Sequence, residues 1–320
     1  MNVPRVISLG QIIVDLTMSV DAVPRPGEDV FADAVKAQVG ASYNMLHAVR
    51  CMGINACHGG VIGSGPWSDL IISALERDDI AHLGRHIDNE DCGFCVALTD
   101  ATGERTFISV RGAEAHAPTD AFDGIDPAAN DVLYFSGYTL AHPTAQALAA
   151  MLRRTMNHQF YAVFDASPMV DTADDRLLRL IAEYKPIWTC NERESGLIAR
   201  RFDVTPPMEG ESDAVIASRC QQLSARLQAP LIIRAGAAGA WVCDADGNCE
   251  HCSGLAVAPV DTNGAGDCHT GVVCAGLASG LTLRDAVRRG NVAAALAVTR
   301  YGPATCPSRD EVDRLLPDLH

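Results

Sequence analysis

The chain has 320 residues, 48% hydrophobic and 20% charged, enough for one large core and too apolar for a disordered segment. Its 25 basic and 40 acidic residues give a net charge of −15, which repels a phosphate backbone and excludes nucleic acid from the expected partners. No basic stretch leads into an apolar signal core, and no run of about 18 uncharged apolar residues occurs, so a cytoplasmic protein without a membrane partner is expected. Twelve cysteines are scattered through apparent core segments, as at Cys190, Cys243 and Cys274, the pattern of buried thiols in a reducing compartment. With only Lys36 and Lys185 available, binding of an anion falls to arginine and the backbone.

In chain order, Val6 to Gly10 reads as a strand entering a turn, and residues 11–38 as a strand pair. Ser42 to Met52 reads as a helix closed by Gly53. Residues 92–112 form a second strand pair: Phe94 to Leu98, a turn over Asp100 to Gly103, then Arg105 to Val110. Val132 to Phe135 is a buried strand followed by a helix over roughly 143–157, and Tyr161 to Asp165 repeats the pattern. Pro186 to Cys190 runs into Asn191, Leu231 to Arg234 is another strand, and a helix of small residues spans Cys268 to Ser279, stopped by Gly280. This alternation predicts one α/β domain over 1–320, with a mostly parallel central sheet covered by helices. The two β insertions form a small sheet over the strand ends, a lid. Ligands of such folds sit at the carboxyl ends of the strands, where Gly10, Asp165, Asn191, Arg234 and Gly236 fall.

The most informative segment is Asp261-Thr262-Asn263-Gly264-Ala265-Gly266-Asp267, just before the small-residue helix. Its glycines and alanine leave backbone N–H groups bare at a helix N-terminus, a geometry that binds anions. An acid beside such a site repels phosphate, unless it accepts the proton of an attacking hydroxyl. Asp267 then serves as general base, while the amides of Gly264, Ala265 and Gly266 hold the charge of the transferred group. The plainer alternative is a glycine-rich turn with a capping aspartate.

Joined with other segments, this motif resembles the ribokinase family, the PfkB carbohydrate kinases, over nearly the whole chain. Asn191-Glu192-Arg193-Glu194 matches the family's Asn-x-x-Glu motif. Arg234 to Gly239 lies where the family has a nucleotide-binding strand and turn. Asn291 to Arg300 resembles the helix beside the adenine pocket. Gly10 and Asp15 match the strand that presents a sugar-binding aspartate, Gly40 to Asn44 the first signature, and Gly103 to Thr106 the turn of the lid hairpin. The resemblance implies a ribokinase-like three-layer fold and transfer of the γ-phosphoryl group of ATP, with Mg2+, to a hydroxyl of a small sugar. Asp15, Gly40 and Asn44 would bind the acceptor; Asn191, Glu194, Arg234, Gly236 and Asn291 would handle ATP and magnesium. Asp261 matches a residue near a monovalent-cation site, which leaves a potassium ion open, and the implied assembly is a homodimer through the lid.

The chain departs from the family pattern where the glycine pair reads Gly40-Ala41, a stiffer hinge, and where Arg234 replaces a Ser or Thr. Arg234 could reach a phosphate or form an internal ion pair. Phe31, Tyr43 and Phe107 offer aromatic surface on which a nucleobase could stack, and Asn263 is also common in adenosine kinases, so a nucleoside acceptor is the alternative to a free sugar. Arg105 and Arg111 are the only arginines of the second insertion, too little for a phosphosugar. A sensor that kept the fold but lost catalysis should show a damaged anion hole or a missing base, and neither is seen. The pairs Cys92/Cys95 and Cys249/Cys252 fall in β segments where i and i+3 face opposite ways, against zinc or redox use.

Overall fold

Val6 and Ile7 are sequence neighbours and both fully buried, yet they pack into different cores. The same division separates Leu133 and Phe135 from Val132 and Tyr134, and Leu231 and Ile233 from Ile232. Successive strand residues point to opposite faces, so a strand buried along its whole length must lie between two covering layers.

The computed structural model describes residues 3–102, 104–204 and 212–316. Its strands are β1 (Arg5–Ser8), β2 (Ile12–Ser19), β3 (Ala34–Ala41), β4 (Asn55–His58), β5 (Ala81–His82), β6 (Phe94–Thr99), β7 (Arg105–Val110), β8 (Val132–Ser136), β9 (Tyr161–Asp165), β10 (Ile187–Asn191), β11 (Leu231–Arg234), β12 (Gly239–Cys243) and β13 (Cys249–Ser253). Its helices are α1 (Ser42–Cys51), α2 (Pro66–Arg77), α3 (Ala145–Arg154), α4 (Asp175–Tyr184), α5 (Glu192–Arg201), α6 (Asp213–Leu227), α7 (Ala265–Ala278), α8 (Leu283–Ala297) and α9 (Arg309–Leu315).

The central sheet has the order β13-β12-β11-β10-β9-β8-β1-β4-β5. It is parallel from β11 to β5, with β12 and β13 added antiparallel at one edge. One core gathers side chains of α3, α4, α5 and α6, such as Leu148, Ile181, Ile198 and Leu223. The other gathers α1, α2, α7 and α8, such as Leu46, Ile71, Val273 and Val287. This is the three-layer α/β fold expected, and no described helix is long and apolar enough to cross a membrane.

The strands of the two β insertions meet in one four-stranded sheet of order β3-β2-β6-β7. β2 pairs antiparallel with β3 and parallel with β6, and β6 pairs antiparallel with β7, so residues far apart in sequence share a surface. Gly103, which the sequence reading put in the turn of the hairpin, lies outside the described residues.

Two local features differ from the sequence reading. Helix α7 begins at Ala265 instead of Cys268, because Gly264 takes a left-handed conformation that serves as its N-cap. The cysteines are not all thiols: Cys243 and Cys249 form a disulfide, being directly opposed on the antiparallel β12–β13 pair with a Cα separation of 4.1 Å. Cys252 lies on the other face of β13, in the second core, so Cys249 and Cys252 do not act as a pair.

Candidate active site

Gly264 has φ 73° and ψ 3°, and a β-carbon there would lie 2.1 Å from the Pro303 carbonyl oxygen, so only glycine fits. The turn it makes places Asp267 within the first turn of α7. Ala265 N–H donates to Thr262 O at 3.3 Å, and Cys268 N–H donates to Gly264 O at 2.8 Å. Among the described residues no acceptor takes the amides of Gly266 and Asp267. These helix-end donors are open to an anion, and the amide of Asp267 is one that sequence reasoning did not name.

Burial pushes the Asp267 carboxyl up to about 7; Asp165 and Asp15 push the same way, while Asn44 and Arg234 oppose them. A carboxyl balanced near neutrality is suited to taking a proton from a hydroxyl. Asn44, buried near the start of α1, donates from Nδ2 to Asp267 Oδ2 at 3.0 Å. Its Oδ1 is buried with no partner among the described residues.

Asp15 lies on β2 of the small sheet and is raised to about 6 by burial. Gly40, on β3 alongside it, is glycine for a steric reason: a β-carbon would lie 2.2 Å from Asp15 Oδ2. Asp15 also appears among the charges that act on Asp267, so the small sheet and the end of α7 face the same space.

Asn191 caps α5 by accepting from Glu194 N–H at 2.8 Å, and Glu194 Oε2 accepts from Asn191 N–H at 2.9 Å, a reciprocal capping box. Burial raises Glu194 and Asp165 adds to it, while Arg234 lowers it. Arg234 turns inward. Its Nη1 donates to Thr189 Oγ1 at 2.6 Å, Thr270 Oγ1 at 3.0 Å and Asp165 Oδ2 at 3.2 Å. Nη2 lies 3.4 Å from Asp165 Oδ1 and 3.7 Å from Glu194 Oε2. Of the two roles open to Arg234, its geometry is that of the internal ion pair.

Gly236 opens the turn after β11 with φ +54°, and a β-carbon there would meet nothing within 4 Å. Asn291 lies inside α8 and is engaged internally: Nδ2 donates to Cys252 O at 2.8 Å and Ser253 O at 3.1 Å, and Oδ1 pairs with His269 Nε2 at 3.1 Å. Asp261 accepts from Asn263 N–H at 3.0 Å and Gly302 N–H at 3.1 Å, and Arg105 reaches it at 3.3 Å from the end of β7. Three of its acceptor positions are used, two on Oδ1 and one on Oδ2, and Arg105 already supplies a positive charge.

Tyr43 does not serve the pocket. It is 2% exposed in the α1 core, where its phenol donates to Asp78 Oδ2 at 2.6 Å. On a helix, adjacent residues point about 100° apart, so Asn44 reaching the site carries Tyr43 away from it. Phe31 and Phe107 stay exposed. Sequence reasoning missed Thr189, Thr270 and Tyr138. Tyr138 is half-exposed just past β8 and lies in the field of Glu194, Asp267 and Asp165.

An acid set on a helix start that also presents open amides, at the carboxyl edge of a parallel sheet, is suited to moving an anionic group onto a hydroxyl. Residues 3–310 match the family described as pfkB family carbohydrate kinase, and the chain belongs to that family. It is 33% identical over 311 residues to the protein named "Uncharacterized sugar kinase YegV" of Escherichia coli (strain K12), covering 96% of this chain and 92% of that one. Among solved structures, ribokinase from Thermotoga maritima superposes with a TM-score of 0.83 at 22% identity, over 99% of this chain and 100% of that one. Ribokinase from Cryptococcus neoformans var. grubii serotype A in complex with ADP superposes with a TM-score of 0.81 at 22% identity, over 98% and 99%. The last two likenesses establish the fold.

Proposed function

We propose that this kinase transfers the γ-phosphoryl group of ATP to a hydroxyl of a small neutral sugar. The observation that carries the reading is the Asn44–Asp267 hydrogen bond, with the buried Oδ1 of Asn44 left unpartnered. A side chain suited to bind a hydroxyl is thereby tied to a side chain suited to deprotonate it. Asp15, Gly40 and Asn44 seat the acceptor. Asp267 takes the hydroxyl proton as the oxygen attacks the γ-phosphorus and ADP leaves. The amides at the start of α7 hold the negative charge of the moving group.

Glu194 fits a role beside magnesium. Its Oε2 is used by the cap, while its other oxygen takes no bond among the described residues. When bound, Mg2+ would neutralise charge on the phosphate oxygens. Asn191, Gly236 and the segment around Asn291 would then handle the nucleotide. Asp261 fits a potassium ion poorly, because Arg105 already sets a positive charge against its carboxylate.

Charge favours a neutral acceptor. Asp15 and Asp267 would flank its place, Asp165 adds negative charge beneath it, and Arg234 is spent on Asp165 and Glu194. A sugar is preferred over a nucleoside because Tyr43, one of three aromatics available to stack on a base, is turned into the core. Both edge strands of the small sheet expose apolar side chains, Val35 on β3 and Phe107 and Ile108 on β7. Lid-to-lid pairing in a homodimer would cover them, and sedimentation as a monomer at micromolar concentration would argue against it.

A coupled ATPase screen over pentoses, hexoses and ribonucleosides tests the function. Turnover with a free pentose or hexose is expected. Turnover with ribonucleosides alone would overturn the sugar reading, and no turnover with either class in the presence of Mg2+ would overturn the ATP-dependent transfer itself.

A further inference from the structure

Beneath the site lies a polar cluster in which five elements meet through one guanidinium. Asp165 comes from the end of β9, Thr189 from β10, Arg234 from the end of β11, Glu194 from the first turn of α5 and Thr270 from α7. Thr270 Oγ1 donates to Asp165 Oδ2 at 3.1 Å and accepts from Arg234 Nη1 at 3.0 Å. Asp165 and Thr270 are both buried. A β-carbon on Gly266 would lie 3.6 Å from Arg234 Nη2, so the cation is packed directly behind the open amides of α7.

This arrangement does two things. It fastens the first turn of α7 to the ends of β9, β10 and β11 through Thr270, one turn beyond Asp267. It also sets one buried positive charge between two buried carboxylates and the base. Removing it would leave Asp165 and Glu194 uncompensated.

We propose that Arg234 is a positioning residue: locked between Asp165, Glu194, Thr189 and Thr270, its guanidinium fixes the start of α7 and the charge environment of Asp267, and it does not contact the nucleotide. The inference rests on Asp267 being the base, and the experiment separates the two claims.

The charged or titratable groups facing Asp267 are Asp165 from β9, Arg234 from β11 and Asp15 from β2, with Tyr134 of β8 and Tyr138 beyond it. Burial holds both phenols above their usual range, so they stay neutral. Asn44 of α1 is uncharged, Glu194 of α5 acts on Asp165 and Arg234, and His269 is held at about 3 by burial and is neutral. Two side chains of opposite sign, Asp165 and Arg234, are therefore bonded to each other and act on Asp267 in opposite directions.

The test is the pH profile of kcat/KM for the sugar acceptor at saturating Mg2+ and ATP, for Arg234→Met, Arg234→Lys and Asp165→Asn, with Asp267→Asn measured alongside. The acid limb should move up by about one pH unit in Arg234→Met and down by a similar amount in Asp165→Asn. Arg234→Lys, which keeps the charge, should restore the limb to within about 0.3 units while kcat stays reduced, because a single ammonium nitrogen cannot replace the two-nitrogen planar fork that meets Thr189, Thr270, Asp165 and Glu194. General loosening of the fold would not shift the limb in opposite directions in the two charge-removing variants. If Arg234→Met is too unstable to assay, Asp165→Asn and Arg234→Lys decide. An unmoved limb in Asp165→Asn, or Arg234 variants that change only the KM for ATP, would overturn the proposal. Near-normal turnover of Asp267→Asn would instead overturn the base on which it rests.

Discussion

Asn44 Nδ2 donates to Asp267 Oδ2 across 3.0 Å, joining the start of α1 to the start of α7. The two residues are 223 positions apart, and the bond lowers the proton affinity of a carboxyl that burial raises. Replacing Asn44 with Ala should raise the apparent pKa of the acid limb of kcat/KM above the value of about 7 set by Asp267. The acceptor KM should rise about tenfold or more if the unpartnered Oδ1 of Asn44 holds an acceptor hydroxyl. A pH-rate profile and a KM measurement check both, and an unchanged limb would show that the bond does not tune the base.

Burial also makes the site costly to fold. Asp267 is held at about 7 and Asp15 at about 6, against about 4 for an unfolded carboxyl. Between about pH 4 and 7 the native state then binds more protons than the unfolded state, so stability falls as pH rises through that window. Asp267→Asn, neutral at every pH, should melt a few degrees above the wild type at pH 8, and the advantage should shrink toward pH 4. Thermal scans without ligand test this, and a gain independent of pH would contradict it.

Ala41, the last residue of β3 and the N-cap of α1, has φ 56° and ψ −130°, a conformation that side chains avoid. Ala41→Gly should therefore stabilise the protein by about 1 kcal/mol, the reverse of the sign for the same change inside a helix. Urea denaturation gives the answer, and a loss of stability would show that the strain is not relieved.

Much of the fold was legible because its strands are continuous apolar runs. Tyr161–Asp165 and Leu231–Arg234 have the bounds that the sequence predicts, since side chains buried on both faces leave no polar alternation to blur the ends. Asp267 was legible because its chemistry sits in one contiguous motif. The start of α7 was not, because it depends on Pro303 filling the space beside Gly264, a contact across the fold. Nor was the direction of Tyr43, which depends on the rotation of α1 about its axis, or the partnership of Arg234 with Asp165, which are 69 residues apart and meet only across strand ends. The Cys243–Cys249 disulfide required knowing that the two residues are opposed in register.

Arg105 reaches from β7 to Asp261 and so latches the small sheet to the loop that precedes α7. The pair is partly exposed, and such pairs contribute about 0–1 kcal/mol. Arg105→Ala should accordingly raise the acceptor KM only several-fold and leave kcat within about twofold. Because Arg105 already sets a positive charge against Asp261, exchanging potassium for sodium should change the wild-type rate by no more than about twofold. A large potassium dependence in the wild type would show that Arg105 yields its place to the ion.

The central claim is that Asp267 is the base. The most direct measurement is single-turnover phosphoryl transfer by Asp267→Asn, with acceptor affinity determined separately by calorimetry. The account predicts that transfer slows by about a thousandfold or more while acceptor affinity changes little, because only proton removal in the transition state is lost. A variant that keeps more than about a tenth of the wild-type rate would contradict it.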